Sequence, residues 1–275
     1  MNYGSKFRRC GVHALFGLVT VWLVACAGCA TTSNCSTAAC KDEVLVMGMI
    51  HSGHRTNPQY GIDTIKAIVR EIKPDYVLCE IPPDRLETAL TEFRNTGRVA
   101  ESRVSRFPEY VDALFPLSRE MDFVIVPCAG WTKPMADARH VKLESYRTTR
   151  SADYEEMERA EAEADRRLHE EGLSDDPMGI HTDRYDAIVK EGLEPYNRLF
   201  NDDLGAGGWD NINRAHYALI ERAIDRYGTG GKRFLIMFGS WHKYWIKEQL
   251  RRRKDILLRS VREFVPTRTT RPSES

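Results

Sequence analysis

Two short apolar runs separated by one helix-length of amphipathic chain constrain this sequence more than any other feature. Residues 43–50 (EVLVMGMI) and 76–81 (YVLCEI) are continuous apolar blocks. They have strand length and lack the alternation of a strand with one wet face, so they read as strands buried on both faces. Between them, residues 60–73 place Ile62, Ile65, Ile68, Val69 and Ile72 on one helical stripe, which Pro74-Asp75 ends. Strand, helix and strand at these lengths form a βαβ unit with parallel strands. A helix is expected over 84–94, after Pro82-Pro83, and a third strand over 122–127 (DFVIVP). The C-terminal third repeats the theme with a helix at 211–227, a strand at 233–238 (RFLIMF), a helix at 243–253 and an edge strand at 255–261. The expected fold class is α/β: a parallel or mixed β-sheet of βα units with helices on both faces, in one domain over 43–265. Residues 266–275 read as a disordered tail.

The N-terminus is a segment of another kind. Residues 11–25 (GVHALFGLVTVWLVA) follow Lys6, Arg8 and Arg9 and form an apolar run of 15 residues. That is short of the roughly 20 residues of a comfortable membrane span and has the shape of a secretory signal. The run ends Leu23-Val24-Ala25-Cys26, which resembles the bacterial lipobox, and so implies cleavage before a lipidated Cys26. The acyl chains would supply about 0.8 kcal/mol of membrane affinity per buried CH₂. Cys29 is a weaker place for the modification, because Cys26 rather than Leu stands three residues before it. Residues 26–42 are small and polar and read as a flexible tether. Cys29, Cys35 and Cys40 lie in it, and in an oxidising compartment two of them can pair; spacing does not say which. The expected location is the periplasm-facing cell envelope, with the outer membrane favoured in a Gram-negative cell because Ala27, not Asp, follows Cys26.

Charge argues against nucleic acid as a partner. Lys+Arg and Asp+Glu number 40 each, and loss of the three N-terminal basic residues leaves 37 against 40, a net of −3. Only one apolar run is long enough to matter, which excludes a multi-span membrane protein. The middle of the chain is polar: residues 150–171 hold nine acids and four Arg. They read as a solvated helix projecting from the body, or, in a sharper version, as a mobile lid. Residues 202–209 (DDLGAGGW) lack the Lys and Ser/Thr of a phosphate-binding loop and read as a connection.

One long-range echo carries the chemistry. The first strand ends Gly48-Met49-Ile50-His51 and the late strand ends Gly239-Ser240-Trp241-His242. Both are an apolar strand, Gly-x-x-His, then a helix, at the carboxyl edge where open α/β sheets bind ligands. If the two strands are neighbours, His51 and His242 face one cleft. The preceding glycines then allow a tight turn or close approach of another group. Glu80 ends the second strand at the same edge, where an acid is not core unless paired. Two His and one carboxylate are the ligand set of many hydrolytic metal sites. Arg85 can pair with Glu80 or bind an anionic group. His54 can be a further ligand, a donor behind one, or a solvated loop histidine. His140, His181 and His216 lack a strand-end context and read as surface or capping residues. Trp241 and Trp245 can wall the pocket or fill the core, and Cys79 and Cys128 read as small core residues. No Gly-x-Ser-x-Gly elbow is present, and Ser52 and Ser240 adjoin the histidines without implying triad geometry.

These residues (GMIH, then PDYVLCE with an Arg soon after, then FLIMFGSWH) resemble the TraB/PrgY/GumN/Tiki superfamily, with erythromycin-esterase-like and ChaN-like proteins as wider relatives. The resemblance spans about residues 44–250. It implies an α/β fold of two related halves around a cleft and, from its Tiki members, divalent-metal-dependent peptide cleavage. Carried over, His51 and His242 would bind the metal (manganese, cobalt or zinc), Glu80 would be a ligand or general base, and Arg85 an electrostatic stabiliser. The family's Arg-Asn pair meets only Asn211, Asn213 and Arg214 here, in the order Asn-Arg, and its small residue before the second His is replaced by Trp241. The expected function is a lipid-anchored metal-dependent hydrolase acting on a peptide or small-molecule substrate. The rival expectation, from the ChaN-like relatives, is a non-catalytic lipoprotein that binds haem or metal through His51, His54 or His242. A third is an interaction module that keeps the fold without the site.

Overall fold

The computed structural model describes residues 40–266. The signal segment, Cys26, Cys29, Cys35, most of the tether and all but the first residue of the tail lie outside them. Among the described residues no helix is long and apolar enough to cross a membrane, and Cys40, Cys79 and Cys128 are free thiols.

Five strands form one sheet: β1 (Asp42–Met49), β2 (Tyr76–Cys79), β3 (Val124–Pro127), β4 (Arg233–Gly239) and β5 (Ile256–Arg259). Their order is β3-β2-β4-β1-β5, and every pairing is parallel. The fold is therefore α/β, as the apolar runs require. Alternate residues of the central strands enter two separate cores. Leu45, Met47, Met49, Val77, Cys79, Leu235 and Met237 pack on one face. Val44, Val46, Leu78, Phe234, Ile236 and Phe238 pack on the other. Burial on both faces is the reason these strands are apolar without interruption.

Nine helices of the described residues surround the sheet: α1 (Ile62–Ile72), α2 (Leu86–Thr96), α3 (Phe115–Leu117), α4 (Lys133–Thr149), α5 (Ser151–Glu170), α6 (Pro177–Ile180), α7 (Asp183–Phe200), α8 (Trp209–Tyr227) and α9 (Lys243–Leu250). The stripe predicted for α1 is the face it buries: Ile65, Ile68, Val69 and Ile72 are all inside. A π-helical turn, Glu109–Leu114, leads into α3. Such turns displace a residue from the regular helical face and recur at functional sites.

The acidic middle departs from the expectation of a free projection. Helix α5 buries Tyr154, Met157, Ala164 and Leu168 and packs along α7. The two approach so closely that a Cβ on Gly192 would stand 2.5 Å from the Ala164 Cβ. The acids occupy the remaining faces, so α5 is amphipathic, with a narrow apolar seam that its charge count conceals.

The topology places β4 between β1 and β2. Met49 pairs with Gly239 and Cys79 with Met237, so the two Gly-x-x-His strands are neighbours in register and Glu80 leaves the sheet beside them. This is the carboxyl edge at which the chain order doubles back, where open α/β sheets form their crevice.

Candidate metal centre

Where β1, β4 and β2 end, their backbones are tied together. Ser240 N–H donates to the Met49 carbonyl at 2.8 Å and His242 N–H to the Gly239 carbonyl at 2.9 Å. β2 and β4 part at Glu80, whose N–H is shared between the Met237 carbonyl at 3.2 Å and the Tyr110 hydroxyl at 3.0 Å. That buried hydroxyl donates onward to the Met237 carbonyl at 2.8 Å. Tyr110 thus fills the opening of the ladder, and the Glu80 side chain turns back over β4.

There the Glu80 Oε2 accepts from Gly239 N–H at 2.8 Å. A Cβ on Gly239 would lie 2.7 Å from His51 Nε2 and 3.4 Å from Glu80 Oε2. The second-motif glycine is therefore required for close approach, one of the two readings its position allowed. Gly48 is also crowded, with Ser240 atoms 3.0 Å from its would-be Cβ. His51 has φ +50°, a left-handed conformation that a non-glycine residue keeps only when its surroundings hold it there.

What holds His51 is Glu109, fully buried on the π-helical turn. The His51 Nδ1–H donates to Glu109 Oε1 at 2.6 Å, which leaves the Nε2 lone pair facing Gly239 and Glu80. His242 repeats the arrangement. Its Nδ1–H donates to Asn213 Oδ1 at 2.7 Å. The Asn213 amide is itself fixed, because its Nδ2 donates to the Trp209 carbonyl at 2.9 Å. The His242 ring stacks on Trp209 at 4.4 Å, and its Nε2 lies 3.9 Å from Glu80 Oε1. A third imidazole, His216 of α8, reaches the same place: Glu80, His216 and His242 each bring a ligand atom within 4.8 Å of the others, all three buried. This buried Glu–His–His group can hold a metal ion. Two buried polar atoms beside it, His216 Nε2 and Glu109 Oε2, have no hydrogen-bond partner among the described residues.

The electrostatics follow from burial and from the two acids. Burial raises the Glu80 pKa, against the opposing pull of His51, the Gly239 N–H and Arg103. For His51, burial disfavours the cation, but the Glu109 hydrogen bond and the charges of Glu109 and Glu80 prevail and raise its pKa. Burial, with the neighbouring His216 and His51, holds His242 far below the usual imidazole range. Burial alone takes His216 to about 3. His216 and His242 are therefore neutral at pH 7, as metal ligands and hydrogen-bond partners must be.

Of the residues expected at the site, His51, Glu80 and His242 converge, whereas His54 and Arg85 do not. The His54 Nδ1–H donates to the Tyr60 carbonyl at 2.6 Å and its Nε2 accepts from Ile50 N–H at 3.0 Å. With both nitrogens occupied it is neither ligand nor donor to the site; it closes the turn after β1. Arg85 pairs with Asp84 at 3.1 Å and Glu101 at 3.8 Å, not with Glu80. Its position at the start of α2 directs it to acids of its own surroundings, and Arg103 is the arginine whose charge reaches Glu80. His181 and His216 are buried rather than superficial, though His181 does cap a helix, at the C-terminus of α6. The His181 Nδ1–H donates to the Pro177 carbonyl at 2.6 Å and its Nε2 accepts from Gly48 N–H at 3.0 Å, bracing the first motif. His140 is exposed, as expected. The aromatic wall against His242 is Trp209; Trp241 and Trp245 pack against the core. The Ser240 hydroxyl is bonded to the Tyr185 hydroxyl at 2.7 Å.

Glu109, Asn213, His216 and Trp209 are the residues that sequence reasoning did not assign to the site. Only Asn213 carried a signal, as a displaced partner of the family's Arg-Asn pair. Fold and site together define an α/β protein with a candidate metal centre at the carboxyl edge of a parallel sheet. No protein-family model, no curated protein and no solved structure matches the chain.

Proposed function

We propose that this protein is a metal-dependent hydrolase of amide or ester bonds, anchored to the envelope membrane by a lipid on Cys26. One observation carries the reading: both motif histidines engage Nδ1–H with partners behind them, Glu109 and Asn213, and so turn both Nε2 lone pairs toward one buried carboxylate. Orientation of an imidazole by a carboxylate or amide at its far nitrogen is the usual support of a metal-binding histidine. The resemblance to TraB/Tiki proteins supports the same reading, with peptide bonds as its substrate class.

His51 and His242 are the nitrogen donors for the ion. A divalent ion in such a site supplies Lewis acidity and makes water nucleophilic near neutral pH. Glu80 takes the proton from the attacking water and returns it to the leaving group. A carboxyl with a raised pKa suits that task, and such help contributes about 10²- to 10⁴-fold in rate. Gly239 N–H holds Oε2 and so leaves Oε1 as the oxygen that exchanges the proton. Glu109 and Asn213 keep the rings from rotating, and Arg103 tempers the charge at Glu80. Access runs past His51, whose side chain is 35% exposed while Glu80 and His242 are nearly covered.

The test is elemental analysis of the purified protein after incubation with manganese, cobalt or zinc, beside His51→Ala and His242→Ala. One ion per chain in the wild type and none in either variant is the expected result. No ion in any protein would overturn the proposal; a Soret band on addition of haemin to the same samples would then replace it with haem binding.

A further inference from the structure

His216 brings three groups, not two, to the space around Glu80, and its role is fixed by protons. Its Nδ1 accepts a hydrogen bond from Gly130 N–H at 2.7 Å. A backbone N–H only donates, so that nitrogen bears a lone pair and the ring's single proton sits on Nε2. Nε2 is buried and has no partner among the described residues. His216 brings one ring nitrogen to the group with Glu80 and His242, and with Nδ1 engaged by Gly130 that nitrogen is Nε2. His242 is the opposite tautomer, because Asn213 Oδ1 can only accept from its Nδ1. The two imidazoles cross at 87° with centroids 5.0 Å apart, one offering N–H and the other a lone pair.

We infer that His216 acts as a fixed Nε2–H donor to a water oxygen lodged among Glu80, His216 and His242, and is not a ligand of the metal. The space presents one donor, His216 Nε2–H, and two acceptors, Glu80 Oε1 and His242 Nε2, which is the complement of a single water molecule. For His216 to bind a cation, its ring would have to become an anion, or the Gly130 N–H would have to lose its acceptor. A buried backbone donor without a partner costs about 1–3 kcal/mol. With an ion held at His242, His216 would remain the donor to that oxygen and Glu80 its proton acceptor, and His216 would steady the negative charge that grows on the oxygen as the proton leaves. This role rests on the hydrolase reading; the tautomer and the water do not.

The fold supports the assignment from behind. A Cβ on Gly130 would fall 2.6 Å from the Ala215 Cβ, so the loop after β3 lies directly on α8, where its N–H meets the ring. His216 is further enclosed by Phe238 at 5.2 Å and Trp131 at 6.3 Å, and a ring flip, which exchanges Nδ1 with Cδ2, would break the Gly130 bond.

The experiment is two-bond proton–nitrogen spectroscopy of the full-length protein in detergent, labelled with ¹⁵N in the histidine rings, before and after zinc. Resonances are assigned with His216→Gln and, should that variant not fold, by the proximity of the ring to Gly130 N–H. The expected spectrum shows His216 protonated at Nε2 and bare at Nδ1 in both states, with exchange contact between the Nε2 proton and water in the zinc-free protein. Zinc should displace the Nε2 signals of His51 and His242 and leave that of His216 protonated. A proton on Nδ1 of His216, loss of its Nε2 proton on adding zinc, or no water contact would each overturn the inference. Zinc that moves no histidine at all would refute the metal reading alone, since the tautomer and the water contact are read without it.

Discussion

Gly239→Ala isolates the close approach on which the site depends. The added Cβ would meet His51 Nε2 at 2.7 Å, well inside ordinary contact, so the ring must withdraw by several tenths of an ångström. Gly239 does not have a positive φ, so the alanine backbone is unstrained and the variant acts through the ring. Withdrawal breaks the 2.6 Å bond from His51 to Glu109, a bond to a charged group worth about 1.5–3 kcal/mol. The loss leaves Glu109 buried with neither oxygen paired, because its Oε2 already lacks a partner. Against this, replacing glycine stiffens the unfolded chain and returns about 0.4–1 kcal/mol. A net loss of about 2 kcal/mol follows, roughly 4–8 °C in Tm for a domain of this size. The assay is a double-mutant cycle with His51→Ala, read by urea unfolding of the metal-free protein. His51→Ala is destabilising by itself because it also strands Glu109. In that background Gly239→Ala should be neutral or slightly stabilising, giving a coupling of about 2 kcal/mol. Equal destabilisation in both backgrounds would show that the cost lies in the strand and not in the approach of His51.

Other outcomes follow from the same geometry. His54→Gln should lower stability by about 1–2 kcal/mol through the lost Ile50 and Tyr60 bonds yet retain one ion per chain by elemental analysis; loss of the ion would restore His54 as a ligand. Arg85→Ala should change Tm little, since its ion pairs are partly exposed and worth about 0–1 kcal/mol, and should leave the pH dependence of the site unmoved. Arg103→Ala should raise the Glu80 pKa further, because Arg103 lowers it; ¹³C titration of labelled glutamate distinguishes the two arginines. His181 and His216 are held near pKa 3 by burial against about 6.5 in the unfolded chain. Below about pH 6.5 the unfolded state then binds protons that the folded state refuses, so stability falls progressively toward pH 3. His181→Gln should make that fall shallower in urea titrations across the range, and an unchanged slope would refute a neutral buried His181.

The strands were legible because burial on both faces leaves a local mark: continuous apolar runs of strand length. The α1 stripe was legible for the matching reason, and the Gly-x-x-His echo pointed to a shared edge because parallel strands align their carboxyl ends. Helix α4 and the apolar seam of α5 were not legible. Their composition is dominated by charge, and only contact with α7 shows which few residues face inward. His54 and Arg85 were drawn toward the site by nearness in sequence, but a strand end and the start of a helix point side chains in directions that spacing does not give.

By itself, the sequence determined the layers of the fold and three of the residues that meet at its edge, His51, Glu80 and His242. Only the tertiary structure decided what those residues can do. Glu109, Asn213, His216 and the Gly130 N–H come from other segments, separated from their partners by 58, 29 and 86 residues where hydrogen bonds join them. They reach the site through helix and loop packing. The position of a proton on an imidazole is set by what its other nitrogen touches, and that partner is absent from any local pattern.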